Sequence, residues 1–443
     1  MRVPRQGAIT ALLTVLAACK HPPSTQPEAE IEAGQAALAA PLAPPDGGLA
    51  PARCSLVEGA GVASTLADVG DRRLLVVGDS VPTTDGAMVG IVHSPATGAE
   101  AQVAHLAGGR VEEWVVVKRG ELAPDAPPPK GLVAGGVAYA AYVARGGAGD
   151  AGARAAIGER RLVLEKKGAG PIATYPDRAI ESLAFDAAVS ADAHRAAIVW
   201  DMDAASGASS GITVGVVPLS GGQALAPRVV SGDTADPDAP RIAPRTAGGW
   251  WVAWTAHRPA PSVDASAAGV TLEAPAEGPV FSWVEVAVLA DDGAPTGPPR
   301  RLTSMAGHAA SFDLAPRPQG ALDLVIRDET QQREGGGGRI LHVVYPADGG
   351  AEEVSVIVPV GVGRGSVDLM TSPREAWLTF SDAQDRTLIL PLDAVARSPR
   401  GAPSIEDALE GGRLLAPTGE SGRFLGAFPG AEGALFREVA CTP

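Results

Sequence analysis

Ser80 has the clearest nucleophilic setting in this 443-residue chain. It follows the apolar run Leu74-Leu75-Val76-Val77 and the pair Gly78-Asp79, so a strand would end by offering a hydroxyl at a turn. A serine attacks only when a base takes its proton and donors hold the developing oxyanion. Carboxylates gather elsewhere. Asp201, Asp203 and Ser206 in DMDAASG open like a calcium loop, but the glycine arrives one position late and Ile212 stands where a bidentate glutamate belongs. Asp233, Asp236 and Asp238 in DTADPDAP have carboxylate density without a ligand order. The seven histidines are scattered, His93 and His105 falling on or near separate strands. The H-E-x-x-H, C-x-x-C, G-x-S-x-G and P-loop spacings are absent, so zinc, thiol and nucleotide chemistry have no sequence support. Trp250, Trp251 and Trp254 offer a sugar-stacking surface. Their alternation puts Trp254 in a core and makes Trp251 the candidate for an exposed ligand face, although core packing fits the same spacing. No residue is assigned a catalytic, cofactor or metal role.

Gly78-Asp79-Ser80, after its apolar run, resembles the nucleophile block of the GDS(L) esterases, in which Ser80 would attack an ester. That resemblance implies an oxyanion-hole asparagine and an Asp-x-x-His near the C-terminus. The chain has no asparagine, and its last histidine is His342. Asp79 is read instead as a repeat feature. It stands just after an apolar run, as Asp201 follows Trp200, Asp328 follows Ile326 and Asp382 follows Phe380.

The elements that would position these residues are short strands. Runs rich in β-branched or aromatic residues recur at Leu74–Val77, Ala138–Tyr142, Ala196–Trp200, Trp251–Trp254, Leu322–Ile326, Ala376–Phe380 and Ala434–Val439. Most follow a polar or glycine-containing turn, as strands do. Four-strand units at this spacing resemble a β-propeller, and the match is sharpest at 240–303. There Pro-Arg-Ile-Ala, Gly-Gly-Trp-Trp-Val-Ala-Trp, a hairpin, Asp-Asp-Gly and Arg-Arg-Leu-Thr follow in blade order. Glycine-, alanine- and proline-rich stretches at 121–135, 145–156 and 258–278 read as loops rising from one face. The expected fold is all-β, a propeller of six or seven four-stranded blades; Val115–Lys118 fits no unit cleanly. Two β-sandwiches are the alternative.

Three cysteines complete the organisation. Arg2 and Arg5, the apolar run Ala8–Val15 and Leu16-Ala17-Ala18-Cys19 resemble a bacterial lipoprotein signal. The resemblance implies cleavage before Cys19 and its acylation, hence an anchor in the lipid bilayer of the cell envelope. Lys20 after the cysteine favours the outer membrane. Residues 1–18 are thus the signal and 19–53 a Pro/Ala-rich tether. Residues 54–443 form the folded domain, with Cys54 and Cys441 at its two ends. In an oxidising compartment these two are expected to form a disulfide that staples an N-terminal strand onto the last blade.

Composition bounds the function. Hydrophobic residues make up 45% but aromatics only 4%, so alanine, valine and leucine must fill the interior. A net charge of −15 repels phosphate backbones and excludes nucleic acid as a partner. The expectation is a non-catalytic envelope propeller binding a protein or glycan on its loop face, with no cofactor. Its rival is a propeller hydrolase or lyase acting on envelope or extracellular glycans, and a structural subunit of an envelope assembly is a third reading. Three or more ionisable side chains from separate blades, converging at the central channel, would favour catalysis.

Overall fold

A computed structural model describes residues 52–63, 74–83, 86–94, 100–107, 110–118, 122, 126–145, 160–175, 184–202, 211–232, 236–259, 280–317, 319–330, 338–372, 375–381, 386–405, 413–418, 421–430 and 433–442. The leader, Cys19 and the tether up to residue 51 lie outside the described residues.

The described chain is a ring of seven four-stranded antiparallel blades. It begins with β1 (Arg53–Ala63), which belongs to the last blade. Blade 1 comprises β2 (Leu74–Pro82), β3 (Gly86–Ser94), β4 (Glu100–Ala107) and β5 (Arg110–Val117). Blade 2 comprises β6 (Lys130–Ala134), β7 (Val137–Arg145), β8 (Arg160–Lys166) and β9 (Gly170–Tyr175). Blade 3 comprises β10 (Phe185–Val189), β11 (Arg195–Met202), β12 (Gly211–Pro218) and the two-residue β13 (Arg228–Val229). Blade 4 comprises β14 (Asp236–Pro244), β15 (Trp250–Pro259), β16 (Val280–Leu289) and β17 (Arg300–Arg301).

Blade 5 begins with β18 (Ala309–Pro316), β19 (Leu322–Asp328) and β20 (Gly338–Tyr345). The long β21 (Glu353–Thr371) then serves two blades. Its first half pairs with β20 as the outer strand of blade 5. Its second half pairs with β22 (Ala376–Ser381) as the inner strand of blade 6, which β23 (Thr387–Leu392) and β24 (Ser404–Ile405) complete. Blade 7 runs β25 (Arg413–Pro417), β26 (Arg423–Gly430), β27 (Gly433–Thr442) and, outermost, β1.

A period of two produces the ring because both faces of each sheet are buried between neighbouring blades. In β15, Trp250, Val252, Trp254 and Ala256 pack with blade 3, while Trp251 and Ala253 pack with blade 5. In β11, Ala196, Ile198 and Trp200 face blade 2, while Ala197 and Val199 face blade 4. The described buried apolar residues sort into seven such inter-blade cores. The last two join blade 6 to blade 7 through Trp377, Phe424 and Val439, and blade 7 to blade 1 through Phe436, Ala427, Val89 and Ile91. Few aromatics suffice because small residues sit opposite them. A Cβ on Gly215 would come within 2.3 Å of the Tyr175 ring, which packs at 5.1 Å from Trp200.

Closure comes from pairing the chain's first described strand with its last. Cys54 lies opposite Cys441 in the antiparallel register of β1 and β27, and a disulfide joins them. The edge that β27 would otherwise expose is covered.

Several sequence expectations are corrected. The seven recurring runs do not hold one place in the blade: five lie in second strands, whereas Leu74–Val77 opens the inner strand of blade 1. Ala434–Val439 lies in the third strand of its blade, and Val115 lies in the outer strand β5. Part of the stretch 121–135 is the inner strand β6, not a loop. Residues 146–156 and 260–278 lie outside the described residues. Trp251 is fully buried, its ring edge-on to Tyr345 at 5.2 Å and the Arg245 guanidinium 4.9 Å from its centre. It cannot serve an exposed ligand face, because a second strand has no solvent side once blades flank both of its faces.

Candidate functional site

Each inner strand sends one charged side chain into the central channel: Asp79 from β2, Lys130 from β6, Asp186 from β10, Arg241 from β14, Asp313 from β18, Asp368 from β21 and Arg413 from β25. They line a cavity of about 430 Å³ whose remaining wall is made mostly of aliphatic residues and proline, including Leu132, Ile242, Leu314 and Leu369. No histidine or aromatic residue is among the described residues lining it.

Around the ring the signs run acid, base, acid, base, acid, acid, base. Seven is odd, so alternation fails once, where Asp313 of blade 5 meets Asp368 of blade 6. Along the arc from Asp368 through Arg413, Asp79 and Lys130 to Asp186, neighbouring opposite charges pair. Lys130 Nζ is 2.8 Å from Asp186 and 3.7 Å from Asp79. Arg413 Nη2 lies 2.8 Å from Asp79 Oδ1 and 2.9 Å from Asp368 Oδ1. Arg241 approaches Asp79 only to 3.8 Å.

Two of the aspartates also tie blade to blade. Asp186 accepts the amide of its own neighbour Ala187 at 2.9 Å and, with its other oxygen, the amide of Ile242 in blade 4 at 3.0 Å. Asp313 repeats the arrangement, accepting Leu314 N at 2.8 Å and Leu369 N of blade 6 at 2.7 Å. These bonds fix the inner strands against one another while the charges face the channel.

The fields follow from this wiring. Burial would raise the Asp79 carboxyl, but Lys130, Arg241 and Arg413 outweigh it and hold the group far below the usual carboxylate range. Burial disfavours the Lys130 ammonium, yet Asp186 and Asp79 hold its pKa above the ordinary value. Lys130 is therefore a fixed cation, not a free-amine nucleophile. Asp313 differs. Burial first, then the Asp368 and Asp79 charges, push it up to about 7, against the Leu369 amide and Arg241. Burial also raises Asp368, partly offset by its pairing with Arg413.

Ser80 lines this channel beside Asp79, but the nearest charged partner of that block is Arg413, not a base for the hydroxyl. Asp79 is on an inner strand, whereas Asp201 and Asp328 end second strands, so the proposed repeat equivalence does not hold; Asp382 lies outside the described residues. Asp201 is buried at the end of β11, and Asp236 and Asp238 lie in β14. Asp203, Ser206 and Asp233, together with the His93 side chain, fall outside the described residues, while His105 is half-buried on β4. Among the described residues no three His, Cys, Asp or Glu side chains are grouped to hold a metal ion.

Sequence reading missed Lys130, Asp186, Arg241, Asp313, Asp368 and Arg413 as a set. One signal was present: a charge three residues before proline at Asp79–Pro82, Arg241–Pro244 and Asp313–Pro316, and four before it at Arg413–Pro417.

No protein-family model matches the chain, and no curated protein matches its sequence. The fold is similar to solved structures. The polysaccharide lyase Uly1 has a TM-score of 0.45 and 9% identity, over 86% of this chain and 91% of that one. A Penicillium chrysogenum α-L-arabinanase complexed with arabinobiose has a TM-score of 0.42 and 10% identity, over 74% and 100%. A subtype N10 neuraminidase-like protein of A/little yellow-shouldered bat/Guatemala/060/2010 has a TM-score of 0.42 and 9% identity, over 75% and 99%. At such identities the likeness is one of fold.

Proposed function

We propose that this chain is an envelope-anchored binding propeller, held by an acylated Cys19, whose ligand enters the central channel. Seven ionisable side chains from separate blades meet in the channel, the convergence expected above of a catalytic site. What supports binding instead is that most of them are already committed to partners. Lys130 and Arg413 are paired with carboxylates, and Asp186 and Asp313 hold backbone amides of the next blade. Side chains committed in this way hold a shape and a field, which is what recognition needs.

A channel plug tests this reading. Ser80 lines the cavity and is half-buried, so Ser80→Trp fills the space while leaving the ring's charges in place. A ligand at a hundred times its dissociation constant stabilises by about 2.7 kcal/mol. Thermal melts against a panel of sugars, amino acids and peptides should reveal a compound that raises the melting temperature of the native chain and leaves Ser80→Trp unmoved. A panel whose hits all stabilise both proteins equally defeats the channel reading.

The anchor is checked separately. Cys19→Ser should appear in the soluble fraction without detergent; a variant that still needs detergent has another hold on the membrane.

Asp313 favours a second reading, a hydrolase or lyase, because a carboxyl near 7 transfers protons efficiently at neutral pH. Turnover, rather than mere retention, of the compound that Ser80→Trp excludes would establish it.

A further inference from the structure

The ring is not closed everywhere. Arg241 and Asp313 are neighbours of opposite charge in blades 4 and 5, yet no ion pair joins them. Arg241 has one ionic contact, at 3.8 Å to Asp79, and its guanidinium makes no hydrogen bond to the described residues. Asp313 bonds only backbone amides, one on each oxygen, leaving further lone pairs on both. On the opposite arc Arg413 bridges Asp368 and Asp79, and Lys130 bridges Asp79 and Asp186, so no such gap exists there.

A gap flanked by a guanidinium and a carboxylate selects by charge pattern. A lone anion at Arg241 would face Asp79, Asp186, Asp313 and Asp368, all of which act on that guanidinium. A lone cation at Asp313 would face Arg241, with Arg413 holding Asp368 beyond it. A molecule carrying both charges, one or two bonds from a common carbon, meets attraction at each end and adds no net charge to the channel. The wall beside the gap is aliphatic, with Ile242, Leu314, Ala315, Leu369 and Met370 lining the cavity and no ring on which a sugar would stack.

We propose that the space between Arg241 and Asp313 binds the head group of a free aliphatic α-amino acid, its carboxylate on the Arg241 fork and its ammonium on Asp313, with the side chain along the aliphatic wall. This rests on the channel being the binding site. The guanidinium suits the role because its planar donors match a carboxylate two-to-two, which an ammonium cannot do.

Calorimetric titration of the whole chain with L-leucine tests it, beside two probes that each lack one charge, 4-methylpentanoate and 3-methylbutylamine. Leucine should bind, and each half-probe should bind at least about tenfold more weakly. Arg241→Lys, which keeps the charge and removes the fork, should weaken leucine by about tenfold, and Asp313→Asn should abolish its binding. Because Asp313 also ties blades together, the half-probes on the unaltered chain carry the test if that variant fails to fold. A half-probe that binds as tightly as leucine overturns the proposal, as does leucine binding that Arg241→Lys leaves intact. If leucine fails while another Ser80→Trp-sensitive ligand binds, the amino-acid assignment falls and the channel reading stands; if no ligand is sensitive to Ser80→Trp, both fall.

Discussion

Replacing Cys54 and Cys441 together by serine should lower the melting temperature by roughly 6 °C. The bridge closes 387 residues of separation, and the chain-entropy relation for a loop of that length gives roughly 5–6 kcal/mol, at the top of the range seen for disulfides. Unfolding a ring of this size carries an entropy near 2 cal/mol/K per residue, which converts that loss to roughly 6 °C. The native contacts argue for a local consequence as well. Strand β1 is held to blade 7 by its pairing with β27 and by the bridge, and it covers an edge that would otherwise present unpaired amides and carbonyls. Limited proteolysis should therefore release the segment before residue 64 from the double variant while the other six blades stay intact. Unchanged melting and unchanged cleavage would show that hydrogen bonding alone closes the ring.

The architecture was legible in the sequence where burial is two-sided. Tryptophan and valine alternate with alanine in β15, and both registers are apolar, which is the mark of a strand flanked by blades on each face. The same property concealed the error about Trp251. A period of two says that alternate residues face opposite ways, not that either way faces water. The closure was legible because two cysteines stand at the ends of the domain and nowhere between. The first blade was misread because Leu74-Leu75-Val76-Val77 looks like a core strand. Its continuation to Pro82 contains a register shift between Val77 and Ser80, and Asp79 within it lines the channel.

The channel itself was nearly illegible. Asp79 and Arg413 make one ion pair across 334 residues, and each blade contributes a single charge to the ring. No local spacing encodes such a site, because the propeller converts a long sequence interval into a few ångströms by rotation. Only the placement of a charge shortly before proline repeats often enough to be read. It fails for Lys130, Asp186 and Asp368, which lack that proline.

Outside the channel, Asp323→Asn should cost about 3–5 kcal/mol, a fall of roughly 4–6 °C for a ring of this size. Asp323 has no exposed surface. One of its oxygens takes Arg317 Nε at 2.6 Å and His342 Nε2 at 2.8 Å, and the other takes Arg397 Nε at 2.9 Å. Arg397 reaches in from a turn residue with φ of 57° and also bonds the Ala394 carbonyl at 2.6 Å, so the cluster pins blade 5 to the turn after β23. Removing the anion strands the buried Arg397 guanidinium and the half-buried one of Arg317, and the cost comes from leaving that charge without a counter-ion rather than from the bonds themselves. Replacing Asp323, Arg317 and His342 together by leucine, methionine and leucine, with Arg397→Met, should therefore recover most of the loss. Burial would raise Asp323, but the His342 and Arg397 hydrogen bonds and the neighbouring guanidiniums outweigh it, so its pKa lies below the ordinary carboxylate value. A carboxyl lowered by folding stabilises fully above its unfolded value near 4, and that contribution fades as pH falls toward the folded value. Wild-type stability should thus decline with acid below about pH 4 more steeply than that of the four-fold apolar variant. Equal slopes in the two proteins would place the acid-sensitive bond elsewhere in the ring.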